Sequence, residues 1–144
     1  WTRNEHSALT GVKSTSYAEN AIALRAARRQ GAHEALLLNT EGEVCEGTVS
    51  NIVVALDGQL VTPPLASGCL AGITRELALQ WCAIAERTVT GAELAHVTEA
   101  FLTSSTRDLH PISRLAGRDL PAPGPLTRQA IALWRTHAAQ GIDP

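Results

Sequence analysis

The 144 residues are 44% hydrophobic and 18% charged, with 14 acidic against 12 basic side chains and a formal net charge of −2, the make-up of one folded domain. The basic residues are spread along the chain, so the clustered basic face that a nucleic-acid partner needs is missing, and no apolar run approaches the roughly 20 residues that span a membrane. Three cysteines (Cys45, Cys69, Cys82) show neither metal spacing nor an even disulfide set, and five scattered histidines form no HxxxH pair. Both features fit a reduced, cytoplasmic protein without a metal centre.

In chain order, Trp1 to Thr10 carry no clear periodicity, and the expectation is that residues 1–10 are a linker or the remnant of a preceding domain while residues 11–144 form the folded unit. Ser16-Tyr17-Ala18-Glu19 reads as a capping box, with Ser16 as N-cap, and predicts a helix to about Gln30. Arg25, Arg28 and Arg29 suit the negative end of its dipole, and Gly31 is its stop. Strand-like runs follow at Glu34 to Leu38, Asn51 to Leu56 and Gln59 to Thr62. Thr40-Glu41-Gly42 marks a turn, Asp57-Gly58 a tight hairpin, and Pro63-Pro64 ends the last of these strands. A second helix is predicted over Ile73 to Ala85, with Leu77, Trp81 and Ile84 on its apolar face, Ala78 and Cys82 beside it, and Arg75, Glu76 and Gln80 toward water. Two more strands, near Glu99 to Thr103 and His110 to Leu115, precede a proline-rich loop. Pro125 then opens a helix to about Ala139, striped by Ile131, Trp134 and Ala138, with Trp81 and Trp134 expected in the core. Hairpin-joined strands with three helices indicate an α+β domain built on a mixed, antiparallel-rich sheet.

The sharpest compositional feature is that Lys13 is the sole lysine among 12 cationic residues. Arginine replaces a solvated cation, but its guanidinium cannot condense with an aldehyde. Lys13 is therefore either a chemical group or a chance survivor of an arginine-rich bias. Tyr17, the only tyrosine, lies four residues on and is either a functional hydroxyl or a packing residue. Glu46 follows a strand-like stretch beside Gly47, a place where a glutamate is otherwise simply solvated, whereas Glu41 and Glu43 read as turn residues. Asn51 and Ser50 are suited to holding a loop. Gly72-Ile73-Thr74 opens the second helix, where free amides and the helix dipole make an anion site, although glycine-to-helix junctions are common. Thr103-Ser104-Ser105-Thr106 puts four hydroxyls at a strand end, either a loop start or a binding turn. Asp108 and His110 nearby invite a hydrolase triad, but no nucleophile elbow accompanies them.

Taken in order, Val12-Lys13 with Tyr17, Glu34 to Asn39, Glu46-Gly47-Thr48-Val49-Ser50-Asn51, Thr62-Pro63-Pro64, Gly68 to Glu76 and Phe101 to Thr106 with Pro111 resemble the class IV aminotransferases, pyridoxal 5'-phosphate (PLP) enzymes of fold type IV. The resemblance covers about Gly11 to Gly117 and is to the larger, C-terminal domain, a barrel-like α+β unit. It implies Lys13 as the catalytic lysine that attaches the cofactor, and Tyr17, Glu46, Leu70, Ile73, Thr74 and Ser105 as cofactor contacts. Leu70 would pack on the pyridine ring, Glu46 would face its nitrogen, Ser105 would meet the phosphate, and Thr106 would lie near the substrate carboxylate. The family includes branched-chain and D-amino-acid transaminases and aminodeoxychorismate lyase, and the run looks closest to lyase-like members. The implied partners are an amino-acid-like small molecule and a second copy in a homodimer, with neither nucleic acid nor membrane.

The smaller N-terminal domain of the family, which closes over the cofactor and supplies an arginine to the phosphate, is not found in this sequence, and nothing marks Arg3 as its replacement. The rival expectation is a non-catalytic relic of the same fold serving dimerisation or binding, against which stands the joint retention of Lys13, Glu46 and Gly72-Ile73-Thr74.

Overall fold

Every residue of strand β3 (Asn51–Leu56) is buried, because both faces of the sheet it centres are covered. The computed structural model describes residues 1–141. A five-stranded sheet runs β5-β4-β3-β6-β7, where β4 is Gln59–Thr62, β5 Ile84–Glu86, β6 Glu99–Ser104 and β7 Asp108–Pro111. All neighbours are antiparallel except β4 and β5, so the antiparallel-rich α+β expectation holds. Alternation along β3 divides the core. Ile52, Val54 and Leu56 pack with Val44, Val61, Leu102 and Leu115 on one face. Val53 and Ala55 pack with Phe101, Ala78, Ala130 and Trp134 on the other, under helices α2 (Ile73–Trp81) and α3 (Pro125–Ala138). A continuous apolar run is what a strand covered on both sides requires.

A separate two-stranded ribbon joins β1 (Leu36–Leu38) to β2 (Val44–Gly47), and another joins β8 (Arg114–Leu115) to β9 (Arg118–Asp119). Helix α1 (Ala18–Arg29) is held to the first ribbon by a small cluster of Ala23, Leu37, Cys45 and Cys69. Its C-terminus closes as expected. Gly31 adopts φ +76°, and the Gly31 and Ala32 amides donate to the Arg28 and Ala27 carbonyls at 3.0 Å each, a left-handed glycine stop. Asp57 and Gly58, at φ 51° and 76°, form the tight turn between β3 and β4 that their sequence specifies.

Several boundaries depart from expectation. The capping box at Ser16 does not form: α1 begins at Ala18, Tyr17 is its N-cap, and no side chain caps it. The Ser16 amide is taken instead by Ser14 Oγ at 3.0 Å. The first strand is Leu36–Leu38 rather than a run from Glu34, since the Glu34 side chain turns to other partners. Helix α2 stops at Trp81, four residues short of Ala85, because Ile84–Glu86 pairs in parallel with β4. Arg75 does not face water; it is buried, donating to the Pro63 carbonyl at 2.7 Å and pairing with Glu86, while Glu76 and Gln80 are exposed as expected. The run His110 to Leu115 breaks into β7 and β8. Trp134 is buried and Trp81 half-buried, their rings tilted with centroids 4.9 Å apart. No helix among the described residues is long and apolar enough to cross a membrane.

Candidate functional site

The topology gathers the sequence motifs at one end of the sheet. β3 begins where β6 ends, so Asn51 sits opposite Thr103 in register. β2 delivers Glu46 beside them, and the chain leaving β4 through Pro63-Pro64 returns to start α2 at the same edge. A cavity of about 440 Å³ opens there, lined by Lys13, Tyr17, Glu46, Leu70, Ile73, Thr74 and Ser105 among others. All seven expected cofactor-contacting residues thus share one space. Thr106 does not line it; it is exposed on the following turn, its hydroxyl 3.4 Å from Ser104 Oγ. Asp108 and His110 are exposed and lie outside the cavity lining.

Lys13 is exposed, on the irregular segment before α1, with Nζ 6.0 Å from the centre of the Tyr17 ring. Glu46 is its opposite in environment. Its carboxylate is buried, with Oε1 3.1 Å from an Arg3 guanidinium nitrogen and Oε2 accepting the Leu70 amide at 2.9 Å. Asn51 Nδ2 donates to the Leu70 carbonyl at 2.8 Å and lies 3.5 Å from Glu46 Oε2, so one amide side chain ties β3 to the segment entering α2. Burial pushes the Glu46 carboxyl above its ordinary value and the Glu34 charge adds to this, against the pull of the Leu70 amide and Arg3. A carboxylate held there, short of solvation and provided with one cation, is suited to a protonated ring nitrogen.

The other end of the cavity is built for an anion. Gly72 is the N-cap of α2 and no side chain caps the helix, so the amides of its first turn have no partner within the helix. Ile73 and Thr74 of that turn line the cavity, as do Thr103, Ser104 and Ser105 across from them. Thr103 Oγ1 is buried with no hydrogen-bond partner among the described residues. An uncapped helix N-terminus facing hydroxyls at one end and a buried carboxylate at the other match a phosphorylated pyridine.

Sequence reasoning missed Arg3 as a neighbour of Glu46. Arg3 also donates to Asn20 Oδ1 of α1 at 2.9 Å, and Asn20 Nδ2 donates to the Thr48 carbonyl at 2.7 Å. Contacts of this kind join distant segments and leave no spacing in the sequence.

The model of the family described as amino-transferase class IV matches residues 1–115. The chain belongs to the class IV aminotransferase family. Among curated members, a D-alanine aminotransferase from Bacillus licheniformis is 36% identical over 81% of this chain and 44% of its own length. A branched-chain-amino-acid aminotransferase from Pseudomonas aeruginosa is 35% identical over 89% and 48%. The chain therefore spans just under half the length of these relatives. A branched-chain aminotransferase from Thermobaculum terrenum, solved in its PLP form, superposes with a TM-score of 0.89 at 33% identity over 97% of this chain and 49% of that one. A Legionella pneumophila protein assigned as a 4-amino-4-deoxychorismate lyase gives 0.88 at 30% identity over 94% and 53%. The fold is that of the class IV enzymes, and their cofactor is PLP.

Proposed function

We propose that this chain is the cofactor-holding domain of a PLP-dependent enzyme that transaminates an amino acid, with Lys13, Glu46 and the α2 N-terminus as its working parts. The supporting observation is the single cavity that contains the only lysine, a buried carboxylate and an uncapped helix start. When bound, PLP supplies an electron-accepting ring that makes the substrate's α-proton removable. Lys13 Nζ would be the covalent attachment point, and its free amine would move that proton as general base. Glu46, the buried carboxylate of the cavity, would hold a proton on the ring nitrogen. The Ile73 and Thr74 amides, with the Thr74 and Ser105 hydroxyls, would hold the phosphate, and Leu70 and Tyr17, which also line the cavity, would pack on the ring and orient it. Thr106, exposed outside the cavity lining, has no part in this reading.

The proposal includes a smaller N-terminal domain that closes the cavity, and a homodimer. The curated aminotransferase relatives favour transamination. The Legionella neighbour favours a second reading, cleavage of aminodeoxychorismate to 4-aminobenzoate and pyruvate by the same residues. The full-length gene product, loaded with PLP, separates the two. Release of a keto acid from D-alanine or a branched-chain amino acid, dependent on an added keto-acid acceptor, is expected. Formation of 4-aminobenzoate from aminodeoxychorismate without an acceptor selects the lyase, and neither product refutes both.

A further inference from the structure

Two turns that line the cavity share one anchor. The first, Gly47 to Ser50, joins β2 to β3, and all four residues line the cavity. The second follows β6, carries Ser105, and is closed by the Arg107 amide donating to the Ser104 carbonyl at 3.2 Å. Glu34 reaches both. Its Oε1 accepts the Val49 amide at 2.9 Å and the Ser50 hydroxyl, while its Oε2 pairs with Arg107 Nη2 at 2.8 Å. The Glu34 side chain is 8% exposed and that of Arg107 32%, so the carboxylate is sheltered and the guanidinium covers it. Gly47 makes this approach possible: a Cβ there would overlap Glu34 Oε1 and Ser50 Oγ.

We infer that Glu34 and Arg107 are a positioning pair that fixes the two turns against each other, and thereby fixes Ser105 relative to the α2 N-terminus. The inference rests on the reading of this cavity as a PLP site. A charge-assisted hydrogen bond to a sheltered acceptor is strong enough to hold a turn. Without it, the two turns are joined only through the β3–β6 ladder, which ends at Asn51 opposite Thr103, and Ser105, two residues beyond that pair, is free to shift relative to the α2 N-terminus. Neither residue lines the cavity. Beyond burial, the Glu34 charge also raises the Glu46 carboxyl, but that influence falls on PLP and pyridoxal alike, whereas the displacement of Ser105 falls on the phosphate.

The test compares PLP with pyridoxal, which lacks the phosphate, in titrations of the full-length apoprotein. Wild type, Glu34→Gln, Arg107→Met, the double variant and Arg107→Lys are followed by visible absorbance, with thermal midpoints recorded in parallel. A wild type that shows no preference for PLP over pyridoxal refutes the cofactor site itself, and with it the pair. Given that preference, each single variant is expected to reduce it about tenfold, the double variant no further than either single, and Arg107→Lys to recover part of it. An unchanged preference in variants whose thermal midpoint falls would assign the pair to stability alone and overturn the inference. Should Glu34→Gln fail to fold, Arg107→Met, a change at a partly exposed side chain, decides.

Discussion

Glu46 carries the tension between stability and function. Its folded-state carboxyl lies above the ordinary value because of burial, so on raising the pH the unfolded chain releases this proton first. The group favours folding below the ordinary carboxylate range and loses that contribution as pH rises through the folded value. Glu46→Gln should therefore flatten the fall in the apoprotein's thermal midpoint as pH rises above the ordinary carboxylate range, while slowing turnover of the PLP-loaded enzyme. A steeper fall in the variant would mean that the Arg3 pairing outweighs burial. The cysteines offer a second check. All three are buried and free, and burial raises the Cys45 thiol to about 12, with the Glu46 charge adding to it. The folded protein keeps this thiol protonated where the unfolded chain ionises, so its contribution to stability is lost as pH climbs from about 9 toward 12. At pH 8, Ellman's reagent should label Cys45 only after denaturation; rapid labelling of native protein would contradict the burial.

At the scale of elements, the most informative contact is the cap on α3. Glu99 at the start of β6 accepts the Leu126 amide at 3.1 Å and the Thr127 amide at 2.9 Å, satisfying the helix's first turn from across the core. Glu99→Ala should cost about 1–3 kcal/mol in chemical denaturation, and Glu99→Gln less, since one acceptor oxygen remains. At α2 the vulnerable position is Gly72, where a Cβ would overlap Asn51 Oδ1. Gly72→Ala should destabilise by about 1–3 kcal/mol and weaken PLP binding, because Asn51 also holds Leu70 beside Glu46. These cases show what a sequence discloses. Strands β3 and β4 were legible to the residue because Asp57-Gly58 dictates their turn, and Pro125 marked the α3 start. The α2 end was not legible, since Ile84 continues the helical apolar spacing and only parallel pairing with β4 draws it into a strand. The seven cavity residues were legible through the order of their motifs. Arg3 against Glu46, Glu99 against α3 and Arg107 against Glu34 were not, because side chains meeting across the fold impose no local periodicity.

At the scale of the whole molecule, the cavity lies on a surface that this chain leaves open. Val12, Val49 and Ile73, the last 70% exposed, line the cavity as apolar side chains turned to solvent, and the chain spans just under half of its curated relatives. An apolar rim around the proposed cofactor site suits a cover, the part the proposed N-terminal domain would play. Equilibrium dialysis should accordingly find PLP bound more weakly by the 144-residue chain than by the full-length protein; equal affinity would show that the cover adds nothing to the phosphate grip. The central claim remains that the chemistry resides on the one lysine of this chain. Its most direct test is borohydride reduction of the PLP-loaded full-length protein, followed by peptide mass spectrometry, in wild type and Lys13→Arg. The cofactor's mass is predicted on the peptide containing Lys13, with both the label and the visible absorbance band lost in the variant, because guanidinium cannot take the amine's place. A label on any other lysine, or a band that survives Lys13→Arg, would put the reactive amine outside this chain and contradict the account.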